Sequence, residues 1–311
     1  MESYRSELAG LHVSGHLFRY APPTAGPPDV AGAETLVAQA PADPLGIPQL
    51  DSEKRNRLLL AFAPIWEIDD TGDYDRPGTP IWKGTRPAVD TGQPRVYTLV
   101  SHTRFQGEIL LQLNYVIWFA ERPRQGVFDI FSGRLDGLIW RVTLDRHGTP
   151  LVYDTIHNCG CYHMFFPGPR LTARQSETFF NEPLLIPQQK TAPAGNRRLV
   201  IRVATGTHYI DRVYTGRESA ATATVSYALA GYDALRSLPA GKHGHRSLFG
   251  PDGLVPGTER GERWLLWPTG VAAPGAMRQW GNHATAFFGR RHFDDPDLLE
   301  RLFMPASPAS P

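Results

Sequence analysis

The chain has 311 residues, 41% hydrophobic and 20% charged, which suits one large globular domain or two modest ones. Its 32 basic and 31 acidic residues leave a net charge of +1, so broad attraction to nucleic acid or to an anionic membrane surface is not expected. No run approaches the ~20 apolar residues of a membrane span, and the first twenty residues lack the apolar core of a signal peptide. The expected compartment is the cytoplasm, or the envelope if a leader has been removed.

Residues 1–52, rich in Pro, Ala and Gly from 21 onward, read as an irregular arm or linker. Residues 51–60 (DSEKRNRLLL) predict a short helix capped by Asp51 or Ser52. A β-rich domain is expected over 53–235. Residues 96–105 and 109–120 predict a hairpin turned at Gln106-Gly107-Glu108. A second hairpin is expected from 138–144 and 151–157, with Gly148 free to take positive φ in the turn. Residues 198–204 and 208–215 predict a third, with Gly206 in its turn. Residues 219–237 carry an approximate helical stripe. An irregular subdomain is expected over 236–304, including a short helix at 295–303 with Asp295 as N-cap, and a disordered tail over 305–311. The predicted fold class is mainly β, sandwich-like with antiparallel sheets and a small mixed C-terminal part; the alternative is α+β.

The two cysteines of the chain stand together in His157-Asn158-Cys159-Gly160-Cys161-Tyr162-His163. Four soft or borderline donors within seven residues are types that bind zinc, copper or iron, or that cycle between thiol and disulfide. In an extended strand these four side chains share a face, but the outer two lie ~20 Å apart at ~3.3 Å per residue. Ligands must sit within ~2.0–2.3 Å of an ion. One extended segment therefore supplies two adjacent donors, or three if it curls at Gly160. His102 or His208 are the preferred remote donors, with His283 and His292 as further candidates. A Cys-Gly-Cys disulfide would close a very small, strained and easily reduced ring.

Weaker signals lie elsewhere. Residues 67–75 (EIDDTGDYD) hold five carboxylates, read as a solvated acidic turn, with a Ca²⁺ or Mg²⁺ loop as the alternative. Asp136 reads as a turn residue before Gly137, or as a ligand near the 151–157 strand. His243-Gly244-His245 reads as an exposed loop or a chelating pair. Arg290, Arg291 and His292 read as surface charge or as an anion-binding corner. Aromatic-rich residues 264–270 and 277–292 are expected to be mostly core. No nucleophile elbow, zincin helix, phosphate loop or dinucleotide fingerprint is present.

The order of segments 62–75 (FAPIWEIDDTGDYD), 109–119 (ILLQLNYVIWF) and 133–157 resembles that of the Vps62-like and NPP1-like β-sandwich proteins, over about a third of the chain. Those families carry a Gly-His-x-x-Asp-Trp-Glu motif, and NPP1-like proteins bind a divalent ion through it. Here Arg134, Asp136, Trp140 and Arg141 stand in its place with altered spacing. The resemblance carries over only Asp136 and His157, and the Cys-Gly-Cys has no counterpart in the family pattern.

The leading expectation is a metal-binding protein, as a hydrolase or oxidase acting on a small-molecule or unknown substrate. Its centre would use His157, Cys159, Cys161 and His163, with His102 or His208 assisting. The alternatives are a thiol-based enzyme or redox protein using Cys159 and Cys161, with His102 as a further catalytic candidate, and a non-catalytic binding or envelope protein. The last would expose a large apolar patch containing some of the tryptophans.

Overall fold

Alternating and near-continuous apolar runs build two sheets. The computed structural model describes residues 13–23, 27–174, 184–189, 191, 195–215, 223–285 and 291–306. In chain order the main elements are β1 (His16–Ala21), α1 (Val30–Ala38), α2 (Ser52–Ala61), β2 (Ile65–Asp70), β3 (Thr79–Lys83), β4 (Arg86–Asp90), β5 (Arg95–Phe105), β6 (Glu108–Arg122), β7 (Gly133–Leu144) and β8 (Pro150–His157). There follow β9 (Met164–Pro167), β10 (Leu171–Ala173), β11 (Leu199–Val203), β12 (Ile210–Thr215), β13 (Ala223–Ser226), β14 (Ala228–Gly231), α3 (Arg263–Leu266) and α4 (Leu298–Leu302).

A five-stranded sheet runs β12-β11-β2-β1-β13, and a six-stranded sheet runs β14-β5-β6-β7-β8-β9. In the larger sheet every pair from β5 to β9 is antiparallel, while the β14 edge joins β5 in parallel. The fold is mainly β, as expected. The core between the sheets takes one face of each strand: Leu113, Tyr115 and Ile117 from β6, Leu138, Trp140 and Val142 from β7, and Trp66 and Ile201 from the facing sheet. The opposite face of the larger sheet, with Val116, Trp118 and Ile139, is covered by Leu235, Leu248, Val255, Met277 and Phe293 from the C-terminal third. β6 and β7 are thus buried on both faces, which explains why they read as long apolar runs rather than strict alternation. Each large apolar side chain so buried contributes about 1.5–3 kcal/mol.

The local turn chemistry follows the sequence. Asp51 caps α2 through Lys54 N at 2.8 Å. Gln106 and Gly107 both take positive φ between β5 and β6. Asp145 accepts from the His147 and Thr149 amides, with Gly148 at φ +80°.

Four expectations are corrected. The first 52 residues are not merely an arm: β1 lies inside the five-stranded sheet between β2 and β13, and α1 packs beside α2. The helix expected over 219–237 is instead β13, β14 and a 3₁₀ turn at Tyr232–Arg236; residues 219–222 lie outside the described residues. Two open sheet edges claim this Ala-rich segment, and tertiary pairing overrides its helix propensity. The C-terminal helix starts later than expected, at Leu298, because the Asp295 carboxylate is taken by His292 N and Arg301. Of the expected tail, Pro305 pairs in a short strand (Phe303–Pro305) with β10, and residues 307–311 lie outside the described residues.

Candidate functional site

β7 begins where β8 ends, at one end of the sandwich, and the 157–163 turn closes that end. Asp136 on β7 and His157 on β8 point between the sheets. His157 Nδ1 lies 3.7 Å from Asp136 Oδ1. The β11–β12 turn brings His208 from the facing sheet, with Nδ1 2.8 Å from Asp136 Oδ2. His208 Nε2 lies 3.4 Å from Oδ1 of Asp75, which sits in a 3₁₀ turn after β2. Arg260 reaches in from the C-terminal third, pairing with Asp136 at 3.2 Å and donating to Leu135 O at 2.9 Å. Phe119 stacks on His208 with ring centroids 3.9 Å apart. Asp136, His157, His208 and Asp75 are all buried.

The charges are set by opposed effects. Burial pushes the Asp136 carboxyl up, but Arg260, His157 and His208 outweigh it and hold it well below the usual range. Burial likewise opposes the Asp75 carboxylate, yet His208, Gly206 N, Thr205 and Thr71 hold it low. Burial pushes His208 down, and its hydrogen bond to Asp136 and its close approach to the Asp75 carboxylate prevail and raise it. His157 is held below its ordinary value by burial, which its distant Asp136 contact does not offset. The surroundings therefore favour the charged forms of Asp75, His208, Asp136 and Arg260 and the neutral form of His157.

His157 Nε2 is buried with no hydrogen-bond partner among the described residues. The His157 ring meets Tyr162 at 5.4 Å and Tyr209 at 5.6 Å, and those two rings meet at 4.4 Å. Arg122 lies over the Tyr209 ring at 5.4 Å. Leu135, Tyr162 and His208 all hold left-handed backbone, with φ of 53°, 57° and 55°. Such strain costs non-glycine residues roughly 1–3 kcal/mol each and concentrates at functional sites. Here it falls on the residue before Asp136, on the cover of His157 and on the inter-sheet histidine.

The two thiols occupy the other side of the turn. Cys159 packs in the core over the outer face of the larger sheet, with Cys161 partly buried beside it, and both are free. Gly160 has φ +96° and leaves only 3.0 Å between a would-be Cβ and Ala284 O, so the turn needs glycine. The Cys161 thiol donates to Cys159, which outweighs burial; with Arg260 adding its charge, the Cys159 thiol is held below its usual range. The same bond, then burial, pushes Cys161 well up. Cys159 thus ionises first, capped by its neighbour's S–H.

The six expected donors do not gather at one point. His163 lies on the opposite sheet face from His157, bonded at 2.8 Å to Asp154, and burial holds it down at about 4. Arg141 grips Asp154 at 2.9 and 2.5 Å, donates to Phe293 O, and lies 3.7 Å over the Phe293 ring. His102 is half-buried on β5, with β6 and β7 between it and β8, in a separate cleft. His157 and His208 meet only through Asp136. Among the described residues no three His, Cys, Asp or Glu side chains converge to hold a metal ion. Of the remaining histidines, His283 is buried with its backbone against Gly160, while His292 bridges to Ala284.

The lesser signals resolve as follows. The acidic segment is not a solvated turn. Glu67 pairs with Arg19 and Arg202, Asp69 accepts from Ser14 N and Gly15 N, Asp70 binds Arg76, and only Asp73 is well exposed among its five acids. His245 is exposed, and the His243 side chain lies outside the described residues. So does Arg290, while Arg291 bonds Thr285.

Sequence reasoning missed Asp75, Arg122, Tyr162, Tyr209, Arg260 and Arg278 as members of this neighbourhood. Asp75 carried a signal, as the last acid before a break in the pattern; the arginines carried none. Asp136 and His157, the pair carried over by resemblance, do face each other. Comparison with protein-family models, curated proteins and solved structures gives no match to this chain.

Proposed function

We propose that the protein works through the Cys159-Gly160-Cys161 dithiol, in thiol–disulfide exchange with a thiol or disulfide substrate. The observation that supports this reading is that two free thiols flank Gly160 in one tight turn and pack in the same cluster, with Arg278 against that turn. In the exchange, the Cys159 thiolate attacks a substrate disulfide, and the substrate thiolate that leaves takes the proton of the Cys161 thiol. The Cys161 thiolate then attacks Cys159 and expels the second substrate thiolate, which takes a proton from water. The dithiol is oxidised to a ring disulfide, and the substrate disulfide is reduced to two thiols. The small ring makes the oxidised form easy to reduce. A thiolate pair is also a two-donor site for a soft transition metal, but the adjacent arginines favour a bare thiolate over a bound cation.

The test is alkylation of each cysteine against pH, read by peptide mass spectrometry, beside metal content by ICP-MS on untagged protein. The dithiol reading expects Cys159 to react below the ordinary thiol range and no stoichiometric metal. A stoichiometric transition metal lost in Cys159→Ser/Cys161→Ser would move the function to the metal reading.

A second reading rests on a different observation. Trp264 and Trp267 are 72% exposed and Phe128 is 92% exposed, with Leu265 and Val127 also exposed. Their two loops are tied together by Glu262 N to Ile130 O at 3.1 Å. Aromatic side chains held out in this way are what a binding or envelope protein presents to a partner surface. Co-sedimentation with lipid vesicles, lost in Trp264→Ala/Trp267→Ala, would support this reading; no binding by the native chain would contradict it for an envelope surface.

A further inference from the structure

A large cleft lies away from the thiols. It has a volume of about 1410 Å³ and runs between α2, β5 and the segment from β14 into the Tyr232–Arg236 turn. That exceeds the roughly 300–1,000 Å³ of small-molecule pockets.

Three features define what it fits. The first is a gap in the sheet. β14 pairs only with Arg95 to Thr98 of β5, and the strand continues to Phe105. Arg104 N–H turns away from β6 and donates to Pro296 O at 2.6 Å. Antiparallel alternation then directs the N–H and C=O of Val100 and His102 to the same open edge. Both residues line the cleft. The second feature is an apolar floor of Leu50, Leu59, Leu111 and Leu229. The third is charge. Arg55, Arg95 and Arg236 line the cleft against one acid among the described residues, Asp233, which pairs with Arg236 at 3.0 Å. Arg95 Nε is buried with no hydrogen-bond partner among the described residues.

We propose that this cleft docks an extended, acidic peptide segment of a partner protein, added as a strand beside residues 100–102 in line with β14. Main-chain bonds to Val100 and His102 supply affinity, and alternate side chains of the peptide meet the leucine floor or the arginines. Neither cysteine lines the cleft, so this inference stands apart from the dithiol reading.

The test is selection of a random heptapeptide library on the full chain, counter-selected on Arg55→Gln/Arg95→Gln. The variant's thermal unfolding is measured alongside, and Arg236→Gln, an exposed position, serves as a second variant. Recovered peptides are expected to alternate apolar and acidic residues and to protect the Val100 and His102 amides from hydrogen exchange. They should lose roughly tenfold or more in affinity on N-methylation or against either variant, each tenfold being about 1.4 kcal/mol. Three results overturn the proposal. One is that no peptide distinguishes the native chain from folded variants. Another is that binders lack acids. The third is that N-methylated peptides bind equally, which would make the cleft a site for anions rather than strands.

Discussion

Asp136 Oδ2 stands 2.8 Å from His208 Nδ1, and this one contact joins β7 of the six-stranded sheet to the β11–β12 turn of the other. Arg260 from the C-terminal third closes on the same carboxylate. One buried charge therefore ties three parts of the chain together. Asp136→Asn leaves the Arg260 and His208 charges buried without their counter-ion, and removal of one partner of such a pair costs roughly 3–5 kcal/mol. Urea unfolding of this variant should show that loss. A change below about 0.5 kcal/mol would mean that the network is solvated and carries no fold energy.

The same network sets a pH window. His208 is raised in the fold, so its contribution is full below its unfolded value of about 6.5 and is lost as pH rises through the higher folded value. Asp75 and Asp136 are lowered, so theirs is full above about 3.9 and is lost as pH falls through their lower folded values. Thermal unfolding against pH should be highest between those two unfolded values. His208→Gln should flatten the alkaline limb; an unchanged limb would assign it to another group.

Gly160→Ala tests whether the thiol turn depends on its glycine. The backbone sits at φ +96°, and a methyl group would meet Ala284 O at 3.0 Å. The expected cost is about 1–3 kcal/mol, with the Cys159 alkylation profile moving up toward an ordinary thiol. A variant with native stability and an unmoved profile would show that the turn geometry does not control the pair.

The sheet strands were legible because their patterns are local. The hairpins over 96–120, 138–157 and 198–215 follow from β-branched runs and from turn residues such as Gly107 and Gly148. The importance of the 157–163 segment was legible from donor types alone. Its partition was not, because the chain turns through the left-handed Gly160 and Tyr162 and strand alternation does not carry across that turn: His157 joins Asp136 between the sheets, and His163 joins Asp154 beyond the larger one. β13 and β14 were misread as helix because pairing to distant β1 and β5 leaves no trace in a short Ala-rich window. Arg260 and Asp75 entered the site over more than fifty residues of separation from Asp136, which no spacing argument reaches.

The exposed aromatic loops make a contrasting prediction. Trp264 and Trp267 contribute little buried area, so Trp264→Ala/Trp267→Ala should alter unfolding free energy by no more than about 0.5 kcal/mol. A larger loss would show that these side chains pack against the protein and would remove the reason to read them as a binding surface.

The most direct measurement is equilibration of the native chain in glutathione buffers of graded potential, followed by acid quench, alkylation and intact-mass analysis. A reversible two-electron transition is expected, in which both thiols disappear together as an internal Cys159–Cys161 disulfide, at a potential more oxidising than that of structural disulfides. Thiols that stay reduced across the glutathione range, or that oxidise one at a time to adducts, would contradict it.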